Sequence, residues 1–218
     1  AGTVFGAVAA YLFQAFGNRT LGEAAFAPIA QLWTVFFILV TVALIPLEQY
    51  VTREASRGRR VLREDLRVIA VTALGASTVG GLVAIVFLDA LFAGDPIFIA
   101  FLFLLPIGYA TLTVGKGVLA GHRRFGLMGW VLFWEGAVRL LAAFVLIAIA
   151  TSARSLALAM VLAPFAALGT RFWRFDSETA VVTTTRASGF LGAYVAGSSA
   201  SQLMLAGAPL AIALLGGP

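Results

Sequence analysis

The stretch FWEGAVRLLAAF, Phe133–Phe144, decides how this chain is read. It lies in an otherwise almost wholly apolar run from Phe125 to Ala150. A run of that length has the dimensions of a membrane-spanning helix, which needs about 20 apolar residues to cross about 30 Å of hydrocarbon. Yet Glu135 and Arg139 stand near its middle. Each charge at the centre of a bilayer costs about 2.5–3.5 kcal/mol on insertion scales. The spacing offers part of the compensation. The acid precedes the base by one helical turn, so the two share a face in the favourable order. At 1.5 Å per residue, Glu135 lies roughly 15 Å into the run. Two readings are open. The pair neutralises itself against other helices and fixes their packing, or it lines a water-filled polar cavity. Neither places it against lipid.

The rest of the chain has the same character. Of 218 residues, 61% are hydrophobic and only 11% charged, and the mean hydropathy is +1.00. A soluble domain is roughly 25% charged. A water-soluble fold of this size cannot hide that much apolar surface, so the chain reads as a polytopic membrane protein. The absence of cysteine excludes a disulfide framework and cysteine-ligated metal. The first apolar run starts at Ala1 with no basic region before it, so it is not read as an intact signal peptide. Both ends read as cut, as in part of a longer protein.

Seven apolar segments are expected: Ala1 to about Phe16, Phe26 to Tyr50, Leu66 to Phe92, Asp95 to Ala120, the opening run, Ser155 to Phe172, and Phe190 to Leu215. No period-2 alternation persists as it would in a barrel. In hydrocarbon every backbone group must be bonded within its segment, so each span reads as a helix. The fold expected is an all-α polytopic helix bundle of about seven transmembrane helices. Short connections make consecutive helices antiparallel neighbours. Asp95-Pro96 is a start signal for the fourth helix, with proline at its first position.

The cations set the orientation expected. Twelve of the 15 Lys and Arg residues flank the second-to-third, fourth-to-fifth and sixth-to-seventh junctions. Only Arg19 and Arg154 lie on the other side, and Arg139 lies inside a span. Lys and Arg concentrate in cytoplasmic loops, so these junctions and the N-terminus are expected in the cytoplasm. The net charge of +5 is thereby accounted for as a topology signal, and no nucleic-acid partner is expected.

Other polar groups are weighed against plainer roles. In IPLEQYVTRE, Ile45–Glu54, Pro46 should interrupt the helical hydrogen-bond ladder and kink the helix. Glu48 and Gln49 follow, with Arg53 one turn beyond. An interrupted helix beside polar groups recurs in transporters, while the plain reading puts Glu48 and Arg53 in the interface. Lys116 follows Gly115, but Gly117 replaces the Ser or Thr of a phosphate loop. Gly117 and Gly121 form a GxxxG pair, a weak packing signal among 23 glycines. His122, the only histidine, abuts two arginines and reads as a solvated loop residue. One histidine cannot build a histidine-based metal site. Arg19 is an interfacial anchor or a cavity-facing group, and Glu23 beside it reads as solvated. No nucleophile–base constellation is present, so neither an enzyme nor a cofactor is expected. Arg171–Gly189 reads as an amphipathic cytoplasmic linker.

Taken in order, these stretches resemble a known family. NRTLGEAAFAPIAQLW is similar to the first periplasmic turn of bacterial polysaccharide flippases, and QYVTREASRG resembles the basic end of their second helix. GVLAGHRRFG resembles the link from their fourth to fifth helix, and WEGAVRLL their fifth helix, with its Glu and Arg at that spacing. ASQLMLAGAPLAIALLGGP looks like their seventh. That family sits in a superfamily with the lipid II flippase and the multidrug and toxin extrusion antiporters. The resemblance implies two pseudo-symmetric six-helix lobes around a cavity that opens alternately to either side of the bacterial cytoplasmic membrane. It implies a lipid-linked glycan on undecaprenyl diphosphate as cargo, coupling to H⁺ or Na⁺, and polymerase or glycosyltransferase partners of polysaccharide assembly. Residues 1–175 would be the N-terminal lobe, 176–189 a cytoplasmic linker, and 190–218 the first helix of a second lobe. The chain departs from the family in length, and Gln202 and Ala206-Gly207 stand where relatives often carry a more polar stretch. The cavity candidates are Arg19, Glu48, Gln49, Arg53, Lys116, Glu135 and Arg139. A multidrug or cation antiporter of the same superfamily, and a non-catalytic membrane partner of envelope assembly, are the alternatives.

Overall fold

The computed structural model describes residues 2–175, and every regular element among them is helical. Helix α1 spans Gly2–Leu21, α2 Glu23–Ser56, α3 Leu66–Val86, α4 Ile97–Gly121, α5 Phe125–Ile149 and α6 Ala153–Thr170. Helices α2 to α6 are each long and apolar enough to cross a membrane. The expected seven is not reached among the described residues. The first segment forms a helix, but one carrying Gln14, Asn18, Arg19 and Thr20, and it is not among these five. The segment from Phe190, with the 176–189 linker, lies outside the described residues.

Boundaries follow local chemistry. The break between α1 and α2 is the single residue Gly22, at φ 77° and ψ 163°, a region essentially reserved for glycine. Helix α4 starts one residue later than the sequence suggests, at Ile97, with Pro96 in the cap position and Asp95 Oδ1 accepting from the Ile97 N–H at 3.2 Å. Pro46 does not end α2. The turn before it, Val40–Leu44, is a π-helix, in which Ile45 N–H reaches back to the Val40 carbonyl. One widened turn lets the helix continue through a residue that cannot donate. Helix α6 changes from α to 3-10 geometry at Ala163-Pro164.

Helix α4 is the hub. It packs on α2, α3, α5 and α6, while α1 lies mainly along α5. Small residues set the approach. A Cβ added to Gly117 would meet the Val51 side chain at 2.7 Å, and one on Gly121 would meet the Thr52 carbonyl oxygen at 2.8 Å. The GxxxG pair, weak as a sequence signal, is thus where α4 touches α2.

Helix α3 shows which solvent the fold is built for. Its buried face is Ala73, Ala76, Ser77, Gly80, Gly81 and Ala84. Its exposed face is Val71, Leu74, Val79, Leu82, Ile85 and Val86. In water the larger side chains would be the ones inside. Helices packing in lipid put small residues at their contacts, because the hydrocarbon outside is as apolar as leucine. The chain is built as a membrane-embedded helical bundle.

Candidate functional site

The opening pair is formed. Arg139 Nη2 donates to Glu135 Oε1 along α5, and both residues are only 5% exposed. Two other helices complete the arrangement. Tyr109 on α4 donates its hydroxyl to the same carboxylate oxygen at 2.7 Å. Trp33 on α2 lies beneath the guanidinium, 5.1 Å from ring centroid to Cζ. Phe36 packs on Tyr109 and Phe13 of α1 on Trp33, at 4.4 and 6.0 Å between centroids. A Cβ on Gly136, beside Glu135, would come within 2.9 Å of Ala9, so α1 closes over this level of α5. Glu135 and Arg139 therefore face helices, and four helices converge on them or on their aromatic partners. Arg139 Nε is buried without a hydrogen-bond partner. The guanidinium can donate five hydrogens, so the site holds a cation with donor capacity to spare.

A second pair lies farther along α4. Lys116 Nζ meets Glu48 Oε2 of α2 at 2.6 Å, with both side chains about one-fifth exposed. By helical rise this pair is roughly 10 Å from Tyr109 along α4. Glu48 follows the π turn and Pro46 directly, so the irregular stretch of α2 holds the carboxylate that α4 neutralises.

The other sequence candidates are not brought into these pairs. Gln49 is exposed, and Arg53, one turn beyond it, is partly buried. Arg19 is exposed near the far end of α1, on a cavity of about 350 Å³ with Tyr11, Gln14, Asn18 and Phe26.

A third charged group was not singled out in the sequence. Glu54, completely buried, takes Arg57 at 3.0 Å and Arg59 at 2.7 Å, and Arg59 also reaches Asp65 at 3.5 Å. This cluster ties the end of α2 to the start of α3. His122 departs from the solvated-loop reading. Its Nδ1 lies 2.9 Å from the Val118 carbonyl oxygen, and its Nε2 is buried without a partner. Among the described residues no three His, Asp or Glu side chains converge as metal ligands would.

No family model matches the chain, and no curated protein or solved structure matches it either.

Proposed function

We propose that this chain is the N-terminal six-helix lobe, with the first helix of the second lobe, of a membrane transporter that moves an anionic lipid-linked glycan across the bacterial cytoplasmic membrane by alternating access. The observation that carries the reading is the Glu135–Arg139 group. A bundle that needed only packing would gain by replacing a buried ion pair with apolar side chains of similar volume. This one holds the pair near mid-span with a tyrosine and a tryptophan from two further helices. An intramembrane ionisable group surrounded by protein is a functional signal by default. The interrupted, polar stretch of α2 beside Lys116 is a second feature of transport proteins.

The cargo follows from the family resemblance and from the chemistry of arginine. A guanidinium matches phosphate oxygens in a two-pronged contact. With no cargo, Glu135 holds Arg139 neutralised. When a diphosphate approaches, Arg139 exchanges partners, and Glu135 becomes free to take a proton or Na⁺. Lys116 with Glu48 offers the same exchange nearer the end of α4, and Arg19 and Arg53 are the remaining contacts proposed. The orientation has the N-terminus in the cytoplasm, and glycan polymerases or glycosyltransferases are the partners expected.

The test, made in the full-length protein, is complementation of a flippase-deficient bacterial strain, with membrane abundance followed in parallel. The double variant Glu135→Ala/Arg139→Ala should reach the membrane yet fail to complement. Arg139→Lys should also be impaired, since an ammonium cannot make the planar contact. Full complementation by a well-expressed double variant removes Arg139 from the cargo path and leaves the pair as packing. Complementation of drug sensitivity instead of glycan export would favour the antiporter.

A further inference from the structure

The ion pairs do not use the outer surface of α5 and α6. A groove of about 460 Å³ runs there, lined by Leu127, Trp130, Trp134 and Val138 of α5 and by Ala166 and Thr170 of α6. The four α5 residues form one stripe that extends for roughly 16 Å by helical rise. That is about one leaflet's share of a ~30 Å hydrocarbon core. Trp130 and Trp134 are partly exposed and meet edge to face at 5.6 Å.

One end of this groove is strongly cationic. Arg123 and Arg124 immediately precede α5, Arg171 directly follows Thr170, and Arg174 bonds through its N–H to the Arg171 carbonyl at 3.0 Å. Arg124 Cζ lies 5.4 Å from the Phe175 ring centroid, so the α4–α5 turn touches the chain beyond α6. Phe172 anchors that chain by packing, buried, on Gly115 of α4. All four arginines are exposed, and among the described residues none of them pairs with a carboxylate. The next acids, Asp176 and Glu178, lie outside the described residues. Arg123 and Arg171 both hold left-handed backbone, at φ 57° and 50°. Glycine is the usual choice after a helix end in that conformation. Two arginines kept there at a local cost point to a use for their guanidinium groups.

We propose that this groove binds an anionic phospholipid of the surrounding bilayer. One acyl chain lies along the Trp130–Trp134 stripe, and the phosphate sits among Arg123, Arg124, Arg171 and Arg174. Basic clusters at the end of apolar helices attract anionic headgroups, and guanidinium–phosphate contacts are charge-assisted and directional. The fold supplies its own contrast. A larger groove of about 590 Å³ between α3 and α4 is lined by Leu82, Ile85, Ile99 and Phe103. Beside its Pro96 end, Asp95 already holds Arg154 at 2.8 Å. That surface offers apolar area without a headgroup site. The proposal does not rest on the transport reading.

The experiment uses the chain carrying Trp33→Phe and Trp173→Phe, so that Trp130 and Trp134 report. It is reconstituted in phosphatidylcholine vesicles containing brominated phosphatidylglycerol or brominated phosphatidylcholine. Brominated phosphatidylglycerol should quench at a roughly five-fold lower mole fraction. The preference should vanish in ~1 M salt, where the Debye length is about 3 Å. Replacing all four arginines by Gln should abolish the preference and leave quenching by phosphatidylcholine unchanged, while replacing them by Lys, which keeps the charge but not the planar contact, should restore only part of it. The salt arm needs no variant at the arginines and stands even where the glutamine variant fails to fold. Equal quenching by the two headgroups overturns the proposal, as does a preference that survives salt or the glutamine changes. Displacement of brominated phosphatidylglycerol by equimolar undecaprenyl phosphate also overturns it, by assigning the groove to lipid-linked cargo.

Discussion

Glu54 and Glu135 are both carboxylates shut away from solvent and both are held by arginine, yet they are built in opposite ways. Glu54 ends α2, and its partners Arg57 and Arg59 sit just beyond it, with side chains still 32% and 19% exposed. Glu135 lies in the middle of α5, and its partner is as buried as it is. Around Glu54 the cations remain partly exposed, so the cluster behaves as a tether between the end of α2 and the start of α3. Around Glu135 neither charge can reach water. What support it has comes from the bundle, through the Tyr109 hydroxyl and the Trp33 ring, and Arg139 Nε is left without a partner. The same ion-pair chemistry is therefore a local staple in one place and an obligation of three helices in the other.

The largest effect should come from breaking the deeper pair on one side only. Arg139→Ala leaves Glu135 buried and unpaired and should destabilise the bundle by about 3–5 kcal/mol, whereas Glu135→Ala with Arg139→Ala, which leaves no unpaired charge but opens a cavity, should cost less than the single change. The measurement is thermal unfolding in detergent, read by loss of helicity. A double variant no more stable than the single one would mean that the charges are not energetically coupled. The same operation at Glu54 should cost less. Glu54→Gln removes the carboxylate charge while Arg57 and Arg59 stay partly exposed and Arg59 keeps Asp65, and a loss of about 1–3 kcal/mol is expected from the weakened buried hydrogen bonds. A loss as large as that of Arg139→Ala would erase the distinction between staple and core. The smallest effect should be that of Tyr109→Phe, which removes one hydrogen bond to Glu135 and leaves the ring packed on Phe36. Polar contacts between helices in membranes average about 0.6 kcal/mol, so the melting temperature should move only slightly. A shift comparable to that of Arg139→Ala would make the tyrosine, not the arginine, the principal partner of the carboxylate.

The helix ends also separate what local chemistry controls from what packing controls. Asp95 and Pro96 immediately precede α4, with Asp95 Oδ1 accepting from its first N–H, and Gly22 divides α1 from α2 by a backbone conformation other residues avoid. Pro46 had a local consequence of the expected kind, a disturbed ladder. The chain met it with a π turn rather than a helix end, because both halves of α2 are held by neighbours.

What the sequence determined by itself is whatever acts within a few residues or through the solvent. The length and apolarity of the runs called for helices that bury their own backbone groups. The one-turn spacing of Glu135 and Arg139 made their pairing a matter of helix geometry. The tertiary structure alone decided which distant side chains share these sites. Tyr109 is 26 residues from Glu135, and Trp33, Glu48 and Lys116 meet their partners only through the packing of α2, α4 and α5. Helical periodicity gives the face a residue occupies but not the helix that will cover it. That choice was made by close contacts at Gly117, Gly121 and Gly136, where the absence of a side chain lets two helices approach and sets which groups come within reach.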